Sequence, residues 1–172
     1  MQSPNIVLKS NQPNSQKSYS VPQDLAKKYL EVINNYDFED QDSQEFELKL
    51  DEEQIELVLE FIQYHGLDNP PNPIPKPLPS SQLKLFVQEW DYNYITKLSQ
   101  EELNNLMNTA HYLYCKEILE LCSAYIASIL LSNTLDELKE TYNIQTELTP
   151  ELEEQIKNDH KDTIFKGTQF EL

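Results

Sequence analysis

The side chains best suited to chemistry are few in this sequence and widely spaced. His111 and Cys115 stand four residues apart, the spacing that places two metal ligands on one helix face. A structural zinc normally takes four ligands, and this pair supplies two. His65 and His160 lie far away along the chain. Cys115 and Cys122 are seven positions apart, a rise of about 10 Å along one helix, which is too long for a disulfide. Both are expected to be reduced thiols used for packing, because a free cysteine behaves as a small hydrophobe. The chain's two glycines, Gly66 and Gly167, cannot share a phosphate-cradling loop. The acidic run at 37–42 lacks the spaced ligands and central glycine of a calcium loop. No nucleophile stands beside an activating base in any recognisable motif. The expectation is a binding protein without catalytic residues, metal, cofactor or small-molecule substrate.

Charge narrows the partners further. Thirty acidic residues face 13 lysines, with no arginine, for a net charge of -17. Nucleic-acid binding requires phosphates to be neutralised by lysine and arginine, so it is not expected here. Anionic membrane surfaces are disfavoured for the same reason. Arginine forks for phosphate or carboxylate are excluded outright. No apolar run approaches the roughly 20 residues that cross a bilayer, and the start of the chain lacks the basic stretch and apolar core of a secretion signal. A cytoplasmic or nuclear location, with a cytoskeletal assembly as one setting, is the expectation.

The elements that must position a binding surface are legible in the periodicity. With 172 residues, 38% of them apolar, the chain suits one domain with a helical extension. Ile6-Val7-Leu8 and Tyr19 with Val21 read as short strands around a polar turn. Residues 22–26 open a helix, and a short helix is expected over 29–36. Phe46, Leu48 and Leu50 alternate with polar residues as in a half-buried strand. Asp51 and Gln54 have capping-box spacing at the start of a helix with two apolar stripes, and Gly66 is placed to end it. Six prolines between Asn69 and Pro79 exclude helix or central strand and predict an extended surface connector. Helices follow over 85–98, after the capping pair Ser99 and Glu102, through Ile118 to Leu130, after Thr134 and Glu137, and after Thr149 with Pro150 at the first helical position. The last helix has a thin stripe, Leu148, Leu152 and Ile156. So few apolar residues cannot hold a helix firmly on its own domain, and a partner is expected to complete it.

The second half of the chain resembles the Skp (S-phase kinase-associated protein) adaptor family, the F-box-binding subunits of SCF ubiquitin ligases. Residues 88–95, Gln-Glu-Trp-Asp-Tyr-Asn-Tyr-Ile, resemble the family's tryptophan-aspartate helix. The helix over 100–113, ending Ala110-His111-Tyr112-Leu113, is similar to its alanine-asparagine-tyrosine-leucine helix. Residues 134–144 resemble its short helix and the turn threonine, aromatic, asparagine, isoleucine, here Thr141-Tyr142-Asn143-Ile144. Residues 148–156 resemble its acidic last helix. The first half matches more loosely, and the likeness covers residues 5 to about 160.

The resemblance implies an α/β fold: a POZ/BTB-type domain, with a small, mostly three-stranded sheet and helices, plus a C-terminal two-helix extension. The domain ranges would be 1–66 for the N-terminal POZ part, 67–84 for the proline-rich loop and 85–131 for the POZ helices. Residues 132–162 would be the C-terminal dimerisation and F-box-binding helices, followed by a tail at 163–172. It implies a non-enzymatic adaptor that binds an F-box protein and links it to a cullin, so that substrates meet the ubiquitin-transfer machinery. By match, the F-box contact falls on Leu103, Leu106, Ile118, Leu121, Leu135, Leu138, Tyr142, Ile144, Leu152 and Ile156, and the cullin contact includes His111 and Tyr112. Core packing is the competing role for Leu106 and Ile118. His111 stands where the family usually has asparagine, Leu135 where it has proline, and Asp162 where it tends to have tryptophan. These departures leave open a second reading, a diverged structural subunit held permanently by one F-box-like partner in a larger assembly without a cullin.

Overall fold

The computed structural model describes residues 4–13, 17–34, 44–145 and 149–159. Strand β1 (Asn5–Ser10) is central, with β2 (Ser18–Pro22) antiparallel on one side and β3 (Gln44–Leu48) parallel on the other. The parallel pairing demands a crossover, and α1 (Gln23–Tyr29) and α2 (Glu31–Asn34) lie within it. Register places Ile6 opposite Val21 and Leu8 opposite Phe46. Strand side chains alternate between faces, so Ile6, Leu8, Val21 and Leu48 share the face that enters the core, where all four are buried.

Two expectations shift. The helix opened at 22–26 runs on through Tyr29, so the short helix read over 29–36 begins only at Glu31, after Leu30, whose extended backbone (φ -114, ψ 83) turns its side chain fully inward; Asn35 and Tyr36 lie outside the described residues. The helix read over 85–98 begins later, as α4 (Glu89–Thr96), after a single tight turn at Leu83–Leu85. Gln88 stays extended (φ -66, ψ 154), and its side-chain amide donates to the Pro70 carbonyl oxygen at 3.0 Å.

The long helices follow their capping signals. In α3 (Glu52–His65) the Asp51 amide donates to the Gln54 side chain at 3.0 Å, and Gly66 (φ 55) ends the helix in a conformation open to glycine. In α5 (Gln100–Leu113) Ser99 and Glu102 bond reciprocally, at 2.7 Å from the Ser99 amide and 3.2 Å from the Glu102 amide. The same box, Thr134 with Glu137, opens α7 (Leu135–Thr141). The two boxes hold the Glu102 and Glu137 carboxyls below the usual carboxylate range, because each accepts from the cap's backbone amide. Helix α6 (Lys116–Ser132) packs along α5, which also meets α3. Helix α8 (Pro150–Asp159) completes the described chain.

A polar pin holds α3, α4 and the proline-rich segment together. His65 Nε2 lies 2.7 Å from Asp91 Oδ1, and His65 Nδ1 donates to the Asn69 carbonyl oxygen at 2.8 Å. Both side chains are buried, so each must be satisfied from within the protein. Phe61 packs on the imidazole with centroids 4.5 Å apart, and Trp90 is stacked between Tyr64 and Tyr94 at 4.0 and 5.0 Å. The segment after Asn69 is therefore a docked strap rather than a free connector. Ile74 and Leu78 are half-buried on the core, and Lys76 reaches Glu120 of α6 at 2.6 Å.

Burial pushes the Cys115 and Cys122 thiols from their ordinary 9.0 up to about 12, and desolvation also raises Tyr29 and Tyr94. Between about pH 9 and 12 the unfolded chain releases protons that the folded chain retains. Stability must therefore fall as pH rises through that window. The denaturation midpoint is expected to drop steadily from pH 8.5 to pH 10.5. At pH 8 a thiol reagent should modify both cysteines quickly in denaturant and slowly without it.

Candidate functional site

The described chain divides sharply between residues that fill its core and residues that cover nothing. Helix α6 belongs to both groups. Ile118, Leu121 and Cys122 lie on its inner face and are buried against α5 and the remainder of the core. On the opposite face, Leu119, Ser123, Ala127 and Leu131 recur at four-residue steps with Leu130 beside them, and Leu130 and Leu131 are 49% and 57% exposed. A helix apolar on two sides is ordinarily buried on two sides. Here the outer face is roofed at its N-terminal end by the strap, while the Leu130 end lies open.

The C-terminal helices carry further exposed apolar residues. Neither α7 nor α8 contains a buried residue. Leu135 and Ile144 are about half exposed, Tyr142 and Ile156 slightly less, and Leu138 and Leu152 are half-buried. Asn143 adopts a left-handed conformation (φ 50), and the Ile144 amide closes back on the Lys139 carbonyl oxygen at 2.8 Å. That turn sets Tyr142 and Ile144 at the end of α7. Acidic side chains surround these apolar positions: Asp136, Glu137, Glu140, Glu151 and Glu154 are all exposed.

The residues expected at an F-box contact thus occupy two environments. Leu135, Leu138, Tyr142, Ile144, Leu152 and Ile156 lie on the partner-free helices. Leu103, Leu106, Ile118 and Leu121 are at most 6% exposed and sit in the core of α5 and α6, where they support the surface from beneath. His111 and Tyr112 are exposed at the end of α5. The chain turns there through Tyr114, which is left-handed (φ 54), and the Cys115 amide returns to the Ala110 carbonyl oxygen at 2.8 Å. The His111 and Tyr114 rings lie 6.2 Å apart, giving this corner an aromatic exterior. His111 and Cys115 do not converge: the imidazole is exposed and the thiol is fully buried. His160, Leu148, Asp162, the acidic run at 37–42 and the tail at 163–172 lie outside the described residues. Among the described residues, no three histidine, cysteine or acidic side chains converge on a point that could hold a metal, and no described helix is long and apolar enough to cross a membrane.

Sequence reasoning missed two parts of this surface. The helical spacing from Ile118 to Leu130 names one stripe and leaves out Leu131, although the run Ile129-Leu130-Leu131 is too wide for one helix face and signals a second. The His65–Asp91 pin joins residues 26 apart in sequence, and no local pattern announces such a pair.

A small sheet covered by helices, followed by two helices in which no described residue is fully buried, is the arrangement of a protein-docking module. A family model described as Skp1 family, dimerisation domain, matches residues 116–163. The chain is 38% identical over 104 residues to the S-phase kinase-associated protein 1 homolog of Tetrahymena thermophila, covering 60% of this chain and 62% of that protein. It is 26% identical over 161 residues to SKP1-like protein 8 of Arabidopsis thaliana, covering 94% and 97%. It is 28% identical over 112 residues to the E3 ubiquitin ligase complex SCF subunit sconC of Arthroderma benhamiae, covering 65% and 67%. The matched region thus spans less than two thirds of the Tetrahymena protein. The chain is thus similar to Skp1-family proteins, most specifically over residues 116–163, and its mixed α/β fold, a three-stranded sheet with helices followed by C-terminal helices, is consistent with theirs.

The division between core and uncovered residues predicts opposite responses to truncation. Leu106→Ala should cost about 2–5 kcal/mol of folding stability. Leu135→Ser and Ile156→Ser should change it by no more than about 0.5 kcal/mol. Urea denaturation of the purified chain, compared at one pH, measures all three.

Proposed function

We propose that this chain is the F-box-binding adaptor of an SCF-type ubiquitin ligase, carrying an F-box protein on its C-terminal helices and meeting a cullin at the end of α5. The observation that carries this reading is the exposure of Leu135, Tyr142, Ile144 and Ile156 on helices that bury nothing within the chain. Helices of 7 and 10 residues are too short to be stable in water on their own propensity, so an apolar partner surface is the natural source of their order. Likeness to the Skp1 family, and to a protein named as an SCF subunit, supports the same assignment. In this reading Leu138 and Leu152 complete the contact, while Leu103, Leu106, Ile118 and Leu121 fix the shape of its floor. Residues 132–162 form the binding extension, and the segment up to 131 is the POZ-type part. Each large apolar side chain fully removed from water contributes about 1.5–3 kcal/mol.

The cullin contact is assigned to His111 and Tyr112, which stand exposed at the end of α5. The exposed His111 also favours the second reading, a structural subunit that keeps its F-box-like partner and binds no cullin, because asparagine is usual at this position in the family.

Binding of a purified recombinant F-box domain and of a cullin N-terminal domain, measured separately and together by calorimetry, tests both readings. The adaptor reading expects both to bind. Ile156→Asp should weaken the F-box domain by on the order of thirtyfold or more, the effect of removing an interface hot spot, and leave the cullin unaffected. Tyr112→Ala should do the reverse. Binding of the F-box domain alone would establish the structural-subunit reading, and binding of neither would overturn both.

A further inference from the structure

The strap over 69–79 does not seal the outer face of α6. Between them lies a cleft of about 280 Å³, walled by Ile74 and Leu78 of the strap and floored by Leu119, Ala124 and Ala127 of α6. Three features bear on its occupant. The first is helical phase. Leu119, Ser123, Ala127 and Leu131 follow one another at steps of four, so the cleft and the exposed Leu130 and Leu131 are successive stretches of one apolar stripe. The second is charge. In a chain of net charge -17, the carboxylate at this rim, Glu120, is paired with Lys76 at 2.6 Å. The cleft therefore calls for neither a cation nor an anion. The third is rigidity. The strap is anchored before the cleft by two hydrogen bonds, from His65 Nδ1 to the Asn69 oxygen at 2.8 Å and from Gln88 to the Pro70 oxygen at 3.0 Å. It is anchored at the cleft by Lys76. A site formed before binding does not spend affinity on ordering its own walls.

We propose that the protein segment docking on α7, α8 and the open end of α6 continues along α6 and sets one uncharged apolar side chain into the strap cleft. The occupant is an aliphatic or phenyl side chain of that same partner: a cavity of about 150 Å³ already accepts benzene, and this cleft is larger. The proposal rests on the F-box-binding reading above and adds to it a second anchoring point, about three helical turns of α6 away from Leu131 at the Leu119 end and built from residues outside the C-terminal helices. Leu130 and Leu131 lie under the connecting part of the segment.

The test uses the full chain with a purified recombinant F-box domain. Ala127→Phe fills the cleft from its floor, and Ile156→Asp disables the C-terminal helices. Ala127→Phe is expected to lower affinity about tenfold or more. Methyl resonances of Ile74 and Leu119 in the unaltered chain should shift when the domain binds, a readout that holds even if the phenylalanine variant folds poorly. Unshifted Ile74 and Leu119 methyls, or full affinity in a folded Ala127→Phe variant, would overturn the cleft assignment when Ile156→Asp still abolishes binding. If Ile156→Asp also binds normally, the F-box-binding reading itself fails.

Discussion

Helix α6 has more apolar surface than the described residues cover, and the rest of the described fold is arranged around that excess. Its inner face, Ile118, Leu121 and Cys122, organises the core against α5. Its outer face cannot reach the same core, because the two faces point in opposite directions on one rod. The strap covers part of the outer face with Ile74 and Leu78. At its far end Leu130 and Leu131 are about half exposed. Exposed apolar surface that a fold leaves contiguous marks a place for another molecule. The acidic residues around it keep the free chain dispersed by mutual repulsion, a useful property for a protein that exposes leucines.

Electrostatics divides the molecule in a second way. Most lysines with a resolved partner form exposed pairs, such as Lys97 with Glu60 and Lys17 with Glu56, and such pairs contribute little to stability. The pair that matters to architecture is the buried one. With His65 Nδ1 donating to a carbonyl oxygen, a hydrogen bond between Nε2 and Asp91 needs a proton shared between ring and carboxylate. Removing either partner would leave a buried polar group unsatisfied, which costs more than the pair contributes when intact. The pin thereby commits the end of α3, the start of the strap and the first turn of α4 to one arrangement.

Local chemistry made much of this legible. The three capping pairs at Asp51, Ser99 and Thr134 open helices where expected, because a cap is satisfied within four residues and needs no tertiary context. Alternation in Phe46 and Leu48 gave a strand, since the pleat has period two. What local pattern could not carry was the boundary at Leu30, where a buried leucine stands between α1 and α2. Nor could it carry the delayed start of α4, which depends on a strap carbonyl 18 residues earlier in the chain. The candidate site was partly legible for the same reason. Apolar residues on a thin helix stand out against a polar background, but whether Leu103 or Ile118 faces inward is decided by what α5 and α6 pack against. Periodicity alone cannot choose between two apolar faces.

The prolines of the strap have a thermodynamic meaning beyond excluding helix. Each ring fixes one backbone dihedral in the unfolded chain as firmly as in the folded one, so six of them within eleven residues leave this segment little disorder to lose. Stiffness then substitutes for contact area. A wall held by two half-buried aliphatic side chains and a few hydrogen bonds keeps its shape where a glycine- and serine-rich segment with the same anchors would sag into the space beneath it.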